Sequence, residues 1–358
     1  MHHELSSVQE LFLRGWGAEQ IPEEPEYASC IGDDHSPFEY SLAVGAQRAE
    51  LRLLVEAQSQ TPAAASNQAA ALALNPLLAQ RFGASFERFD AIKSIFLPDS
   101  PRPPFSLWHA VCFGQHGRHD FKVYLNPLAQ GPERANQLVA EALDRLGLAA
   151  AQRVVDTITN DPGLPSTPNY FSLDLSDAAN ARVKVYFQHL NATAPQLDRL
   201  FELSPTHRRG DVVEFCRALV ASDGPFLTKP LTSCFSFVGG QDRPLAATFH
   251  LPIAHYVPND LVTLERVTRY LTSQKIDPST YAAALRAFAM RPLDDAAGIQ
   301  SYASFRREAS GIRFTAYLSP ELFREATDHP SELRLKSAST APQPIPAFRA
   351  QGSGTSPR

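Results

Sequence analysis

The sequence predicts an α+β protein: a closed ten-stranded antiparallel β-barrel with a ring of outer α-helices, assembled from five similar units. Three observations carry this. Several segments alternate apolar with polar or charged residues, which marks strands with two different faces because successive strand side chains point to opposite sides. These segments recur about every 65 residues. Between them lie stretches with one-sided apolar stripes at helical spacing. Ten strands of such regularity would leave an open sheet with two exposed edges, and closure removes both.

The elements follow in chain order. Pro37 to Val44 (PFEYSLAV) and Ala49 to Glu56 (AELRLLVE), joined through Gly45, form a first hairpin. The Ala-rich run Thr61 to Ala73 continues into Leu77, Leu78 and Phe82, a helical stripe expected to be interrupted at Pro76. Phe121 to Pro127 (FKVYLNP) alternates as a strand. Pro132 to Leu146 reads as a helix: Pro and Glu open it, Leu138, Ala142 and Leu146 repeat at steps of four, and Gly147 stops it. Ala181 to His189 and Ala247 to Ile253 are further strands, with a helix over Asp211 to Ala221 between them. Helices over Asp260 to Leu271 and Thr280 to Met290 precede a last strand, Ile312 to Pro320.

The strands repeat at a fixed interval. Taking Lys122, Lys184, Thr248 and Thr315 as equivalent positions gives steps of 62, 64 and 67 residues. Arg52 stands 70 residues before Lys122, so the first hairpin fits the same period. Residues 1–335 are expected to form a single domain, and 336–358, with Pro342, Pro344, Pro346 and the terminal QGSGTSPR, a disordered tail.

Composition narrows the function. With 358 residues, 44% hydrophobic and 20% charged, the chain is neither disordered nor fibrous, and the repeat favours one large closed core over two domains. A net charge of -5 and a pI of about 6.1 exclude a broadly basic nucleic-acid surface, so any anion site must be local. No run approaches the roughly 18 apolar residues of a spanning helix. The first thirty residues carry Glu, Gln and Pro in place of an apolar leader, so a soluble, cytoplasmic protein is expected. Cys30, Cys112, Cys216 and Cys234 lack metal-ligand spacing and read as buried thiols, with no metal site.

If the apolar strand faces meet the helices, the other faces line a lumen. Lys122, Tyr124 and Asn126 then point inward, as do Arg182, Lys184, Tyr186 and Gln188. By the same parity Tyr302, Ser304 and Arg306 share a late strand, beside Arg313, Thr315 and Tyr317. Inward cations are costly unless something anionic meets them. Few inward carboxylates are evident, so a phosphate or diphosphate is the natural complement, with Arg giving forked contacts and Lys point-charge contacts. The competing reading is a solvated face of an ordinary sheet, which the coincidence across four strands makes less economical. Clustered tyrosines either fill the barrel or offer π faces to a carbocation.

The motifs KVYLNP (Lys122 to Pro127), RVKVYF (Arg182 to Phe187), SPFEYSL (Ser36 to Leu42), HLPIAHYVPND (His250 to Asp260) and TAYLSPELF (Thr315 to Phe323) resemble those of the aromatic (indole) prenyltransferases of the dimethylallyltryptophan synthase family, over roughly residues 25–325 and in the same order. The resemblance implies a ten-stranded barrel, the ABBA prenyltransferase barrel, of five helix-helix-strand-strand units. It also implies metal-independent transfer of a dimethylallyl group from dimethylallyl diphosphate to the indole of tryptophan or a tryptophan-derived compound in secondary metabolism, by a monomer or homodimer.

Residue by residue, Glu39 matches the carboxylate that holds the indole N–H. Arg52, Lys122, Arg182 and Lys184 match the diphosphate ligands, and Arg306 is favoured by parity over Arg307 for a last one. Tyr124, Tyr186, Tyr302 and Tyr317 match the shield around the allyl cation. The chain departs from the pattern in three places. His250 stands where many members have a shielding Tyr, Thr248 where some have Lys, and His109 is the candidate for an extra base near Trp108 to Phe113. These departures leave the attacked ring position open. Asp33-Asp34 and Asp294-Asp295 lack the third acid of a magnesium-binding DDxxD stretch. Two other readings remain: a cationic-tunnel phosphohydrolase, which would need clustered inward glutamates, and a noncatalytic isoprenoid or indole binding barrel, which would have no need of Glu39.

Overall fold

The computed structural model describes residues 2–46, 48–101, 104–114 and 119–323. Ten strands run β1 (Phe38–Val44), β2 (Ala49–Val55), β3 (Leu107–Phe113), β4 (His119–Leu125), β5 (Ser166–Asp174), β6 (Val183–His189), β7 (Leu231–Phe237), β8 (Ala246–Leu251), β9 (Gln300–Glu308) and β10 (Gly311–Leu318). Each pairs antiparallel with its sequence neighbours, and β1 pairs with β10, from Tyr40↔Leu318 to Val44↔Phe314, to close the barrel. Closure leaves no strand edge unpaired.

Helices precede the hairpins in pairs. They are α1 (His2–Phe12) before the first hairpin, then α2 (Ala64–Phe82) with α3 (Glu87–Phe96), α4 (Ala135–Arg145) with α5 (Ala149–Thr159), α6 (Ala194–Leu200) with α7 (Asp211–Val220), and α8 (Asp260–Ser273) with α9 (Ser279–Phe288). Four units are thus helix-helix-strand-strand, and the first carries one helix among the described residues. The expected boundary at 335 and the tail 336–358 lie outside the described residues. No helix among the described residues is long and apolar enough to cross a membrane.

Local chemistry accounts for most boundaries. Gly147 sits at φ +69° past α4 and donates its N–H to the Asp144 carbonyl, a left-handed stop that Gly adopts without strain. Thr193 caps α6, accepting from the Gln196 N–H while the Gln196 side chain accepts from the Thr193 N–H. One expectation is corrected. Helix α2 passes through Pro76 without interruption, since burial of Ala71, Leu74 and Leu78 on one face outweighs the hydrogen bond that Pro cannot donate.

The apolar core lies between the outward strand faces and the helices. Phe215 of α7 shows the arrangement: its ring lies 4.9 Å from Phe305, 5.9 Å from Phe249 and 6.3 Å from Phe314, on three successive strands. Burying such rings stabilises by about 1.5–3 kcal/mol each. With this face committed to the helices, the alternate residues have only the lumen to face.

Candidate active site

The equivalent repeat positions converge. Arg52, Lys122, Lys184, Thr248 and Thr315 all line one lumenal chamber of about 70 Å³, with Arg306, Arg313, Cys112 and Cys234. It lies toward the end where the hairpin turns are. A second chamber, about 230 Å³, opens toward the other end and is lined by Trp108, Asn169, Tyr170, Gln188, Lys229 and Tyr302. Glu39, Leu54, Tyr124, Tyr186, His250 and Tyr317 line both and form the collar between them.

The cations of the chamber are paired with more carboxylates than the sequence suggested. Glu50 lies 2.7 Å from Arg52 Nε and 3.1 Å from Arg313 Nη2. Asp174 lies 2.8 Å from Arg182 Nε and 3.7 Å from Lys122 Nζ, and Glu308 pairs with Arg306. Burial would raise Glu50, but Arg52 and Arg313 pull it down to about 2; Lys122 and Arg182 lower Asp174 against the same burial. Burial would raise Glu308 too, but Arg306 lowers it, so all three acids are ionised at neutral pH. With Lys184 charged, six cations (Arg52, Lys122, Arg182, Lys184, Arg306, Arg313) against these three acids leave +3, close to the opposite of a diphosphate ester's charge. Two donors point to such an anion. Arg313 Nε is buried without a hydrogen-bond partner, and Lys184 has no carboxylate at ion-pair distance, among the described residues. Burial pulls the Lys184 ammonium down to about 7.

Arg182 stands just before β6, outside the strand itself, at the rim, where its charge is felt at Lys184. Arg306 faces the chamber while Arg307 turns outward to Asp211 of α7 at 2.5 Å, as strand parity requires. Asn126 does not face the chambers. It is fully buried, donates to the Phe105 carbonyl and accepts from the Leu128 N–H, tying off β4.

The collar is a chain of rings. Tyr124 Oη lies 3.4 Å from Tyr186 Oη; Tyr186 and His250 rings are 5.7 Å apart, His250 and Tyr317 5.7 Å, Tyr317 and Tyr302 6.3 Å. Glu39, 7% exposed, accepts from Ser301 Oγ at 2.6 Å, and burial pushes its carboxyl up to about 8.

His109 is corrected. It faces outward from β3, where Nε2 lies 2.8 Å from Asn75 Oδ1 of α2 and the ring lies 6.2 Å from Phe12, so it belongs to the packing under the helices. Its neighbour Trp108 takes the inward position. Cys30 is exposed, not buried as expected, and Cys112 and Cys234 line the lumen.

Arg313 is lumenal, as the parity it shares with Tyr317 predicts, though no motif marks it as an anion ligand. Other lumenal residues escape a sequence reading. Trp108 and Tyr170 sit on β3 and β5, where apolar runs and a bulge between Pro168 and Tyr170 hide the alternation. Lys229, just before β7, gives no local signal. Among the described residues it is the one Lys or Arg lining the second chamber; it pairs with Asp33 and lies 5.1 Å from the centre of the Tyr302 ring.

A cationic chamber bounded by an aromatic collar that carries a sheltered carboxyl group has counterparts among known proteins. A family model, tryptophan dimethylallyltransferase, matches residues 14–284. The chain belongs to the tryptophan dimethylallyltransferase family. Among solved members, it is similar to 6-dimethylallyltryptophan synthase from Micromonospora olivasterospora, crystallised with DMASPP and Trp: 32% identity, TM-score 0.85, covering 90% of this chain and 92% of that one. It is also similar to 5-dimethylallyltryptophan synthase from Streptomyces coelicolor (30%, 0.81, 90% and 92%) and to the prenyltransferase PriB, in a ternary complex with L-tryptophan and dimethylallyl thiolodiphosphate (31%, 0.82, 90% and 92%). AnaPT from Neosartorya fischeri, 17% identical with a TM-score of 0.73, shares the fold. These family members have the closed barrel found here.

Proposed function

We propose that the protein transfers a dimethylallyl group from dimethylallyl diphosphate to the indole ring of tryptophan or a tryptophan-derived compound. One observation carries this reading: the net-cationic chamber opens onto an aromatic collar that includes the sheltered carboxyl of Glu39, where a diphosphate leaving group and an indole would meet. Arg52, Lys122, Lys184, Arg306 and Arg313, with Arg182 at the rim, hold the diphosphate. The C–O bond breaks with both electrons leaving on the diphosphate, and the cations stabilise that charge in a site sheltered from water. Because the side chains supply this charge, the reaction is read as metal-independent.

The allyl cation then lies among Tyr124, Tyr186, His250, Tyr302 and Tyr317, whose rings face it and exclude water. Glu39 accepts a hydrogen bond from the indole N–H, which enriches the ring carbons that attack. Lys229 is placed for a carboxylate on the acceptor. A cytoplasmic setting, where both substrates are made, fits this chemistry. The test is mass spectrometry of tryptophan incubated with dimethylallyl diphosphate, with and without EDTA. A prenylated tryptophan in both supports the reading; no product with any indole acceptor refutes it, and product lost on chelation refutes metal independence.

A further inference from the structure

After the indole carbon attacks, the ring is an arenium cation that must lose the proton of the attacked carbon. His109, the sequence candidate for this task, is sealed beneath the helices. The new bond forms at the collar, so the acceptor must be found among residues that line both chambers: Glu39, Leu54, Tyr124, Tyr186, His250 and Tyr317. The phenols are held in their protonated form by burial. Glu39 is engaged by Ser301 and, on the reading above, by the indole N–H.

We infer that His250 is the base that removes the ring proton. Its imidazole contacts Tyr186 on one side and Tyr317 on the other. Nδ1 lies 3.3 Å from Tyr317 Oη, which lies 3.4 Å from Ser304 Oγ. With Nδ1–H donating to Tyr317, and the Tyr317 hydroxyl donating to Ser304, the ring's lone pair falls on Nε2. Nε2 is buried and has no hydrogen-bond partner among the described residues. A buried, unpaired ring nitrogen is costly unless something meets it, and here it stands among the residues shared by both chambers.

Burial, with the nearby charges of Lys184 and Arg52, holds the imidazole at about 3, so it is neutral at any working pH. An arenium C–H is a much stronger acid than that imidazolium. In the step, the C–H bonding pair restores the aromatic ring and the proton passes to Nε2. The imidazolium so formed faces the diphosphate anion that has just departed, which stabilises it; the proton leaves to solvent when the products do. The remaining charged groups around the collar are Glu39, Lys184 and Arg52, of which the cations face the diphosphate. His250 thus does more than replace a shielding ring: it supplies the one unengaged neutral nitrogen among the residues shared by both chambers.

This inference rests on the indole-prenylation reading, and the test separates the two. His250→Phe keeps a flat ring and removes both nitrogens. Its kcat should fall about 100-fold or more, while the KM values for both substrates stay within about threefold. Tryptophan deuterated on the ring carbons should react like ordinary tryptophan in the wild type, where proton loss is fast. In His250→Phe a primary isotope effect on kcat of about twofold or more should appear, because proton loss now limits the rate. Added imidazole should restore part of the rate of His250→Ala, which also covers the case that the Phe variant does not fold. A His250→Phe enzyme of wild-type rate overturns the inference, as does a slow one without an isotope effect, or His250→Ala without rescue. A wild type that makes no prenylated indole overturns the function itself, and this inference with it.

Discussion

Lys184 offers a quantitative test of the cationic chamber. Unlike Arg52, Arg182, Arg306 and Arg313 it has no carboxylate at ion-pair distance among the described residues, so its removal leaves none of these acids stranded. Lys184→Met keeps the length of the side chain and deletes its charge. In the free protein burial holds the ammonium near 7; a bound diphosphate favours the charged form and returns the pKa toward its ordinary value. Binding therefore takes up a proton in proportion to the neutral fraction, about 0.9 at pH 8 and about 0.1 at pH 6.

Calorimetric titration with dimethylallyl thiolodiphosphate, in buffers of different ionisation enthalpy, should show this difference between wild type and Lys184→Met. Losing one charge-assisted contact costs about 1.5–3 kcal/mol, or about 10–150-fold in Kd at pH 6. The wild-type advantage should shrink about tenfold by pH 8, because there the lysine must first be protonated. Equal proton uptake in the two proteins, or a ratio that ignores pH, would refute the placement of diphosphate against Lys184.

Other predictions follow from the same geometry. Glu39 is raised by burial to about 8, so its carboxylate form gains as pH rises through 8; the rate with tryptophan should rise along that limb, and Glu39→Gln should abolish the limb and slow kcat about 100-fold while donor KM changes by less than about threefold. Lys229→Gln should raise the KM for tryptophan about tenfold and leave that for its methyl ester unaltered, as steady-state kinetics would show. Asp260, fully buried at the start of α8, accepts from Arg291, the Ile299 N–H and the Gln300 N–H; Asp260→Ala should lower stability by about 2–5 kcal/mol in urea titrations, since two buried N–H groups lose their acceptor while Arg291 keeps Glu321, without changing the proton uptake on donor binding.

The barrel was legible because one face of every second strand had to be apolar and the other did not. Lys122, Lys184, Thr248 and Thr315 kept their spacing, and all face one chamber. What stayed hidden had a physical cause. Strand β7 (LTSCFSF) is buried along its whole length, and β3 (LWHAVCF) nearly so, which erases the alternation. Without the parity of β3, the sequence does not separate His109, which faces the helices, from Trp108, which faces the lumen. Glu50, Asp174 and Glu308 lie at strand ends beside turns, where a carboxylate ordinarily reads as solvated.

Those three acids explain how a cation cluster is held together before substrate arrives. Six like charges around one small chamber would repel one another and lower the stability of the barrel. Pairing Arg52 and Arg313 through Glu50, and Lys122 and Arg182 through Asp174, fixes four of them in place. Each acid is shared or sits two residues from its partner along the same strand, so the guanidinium groups keep donors free for a further anion. Lys184 is left unpaired and is the group that adjusts, by losing its proton when no anion is near. On the proposed function, the chamber is thereby preorganised for a diphosphate, while the net charge of -5 over the whole chain gives no sign of it.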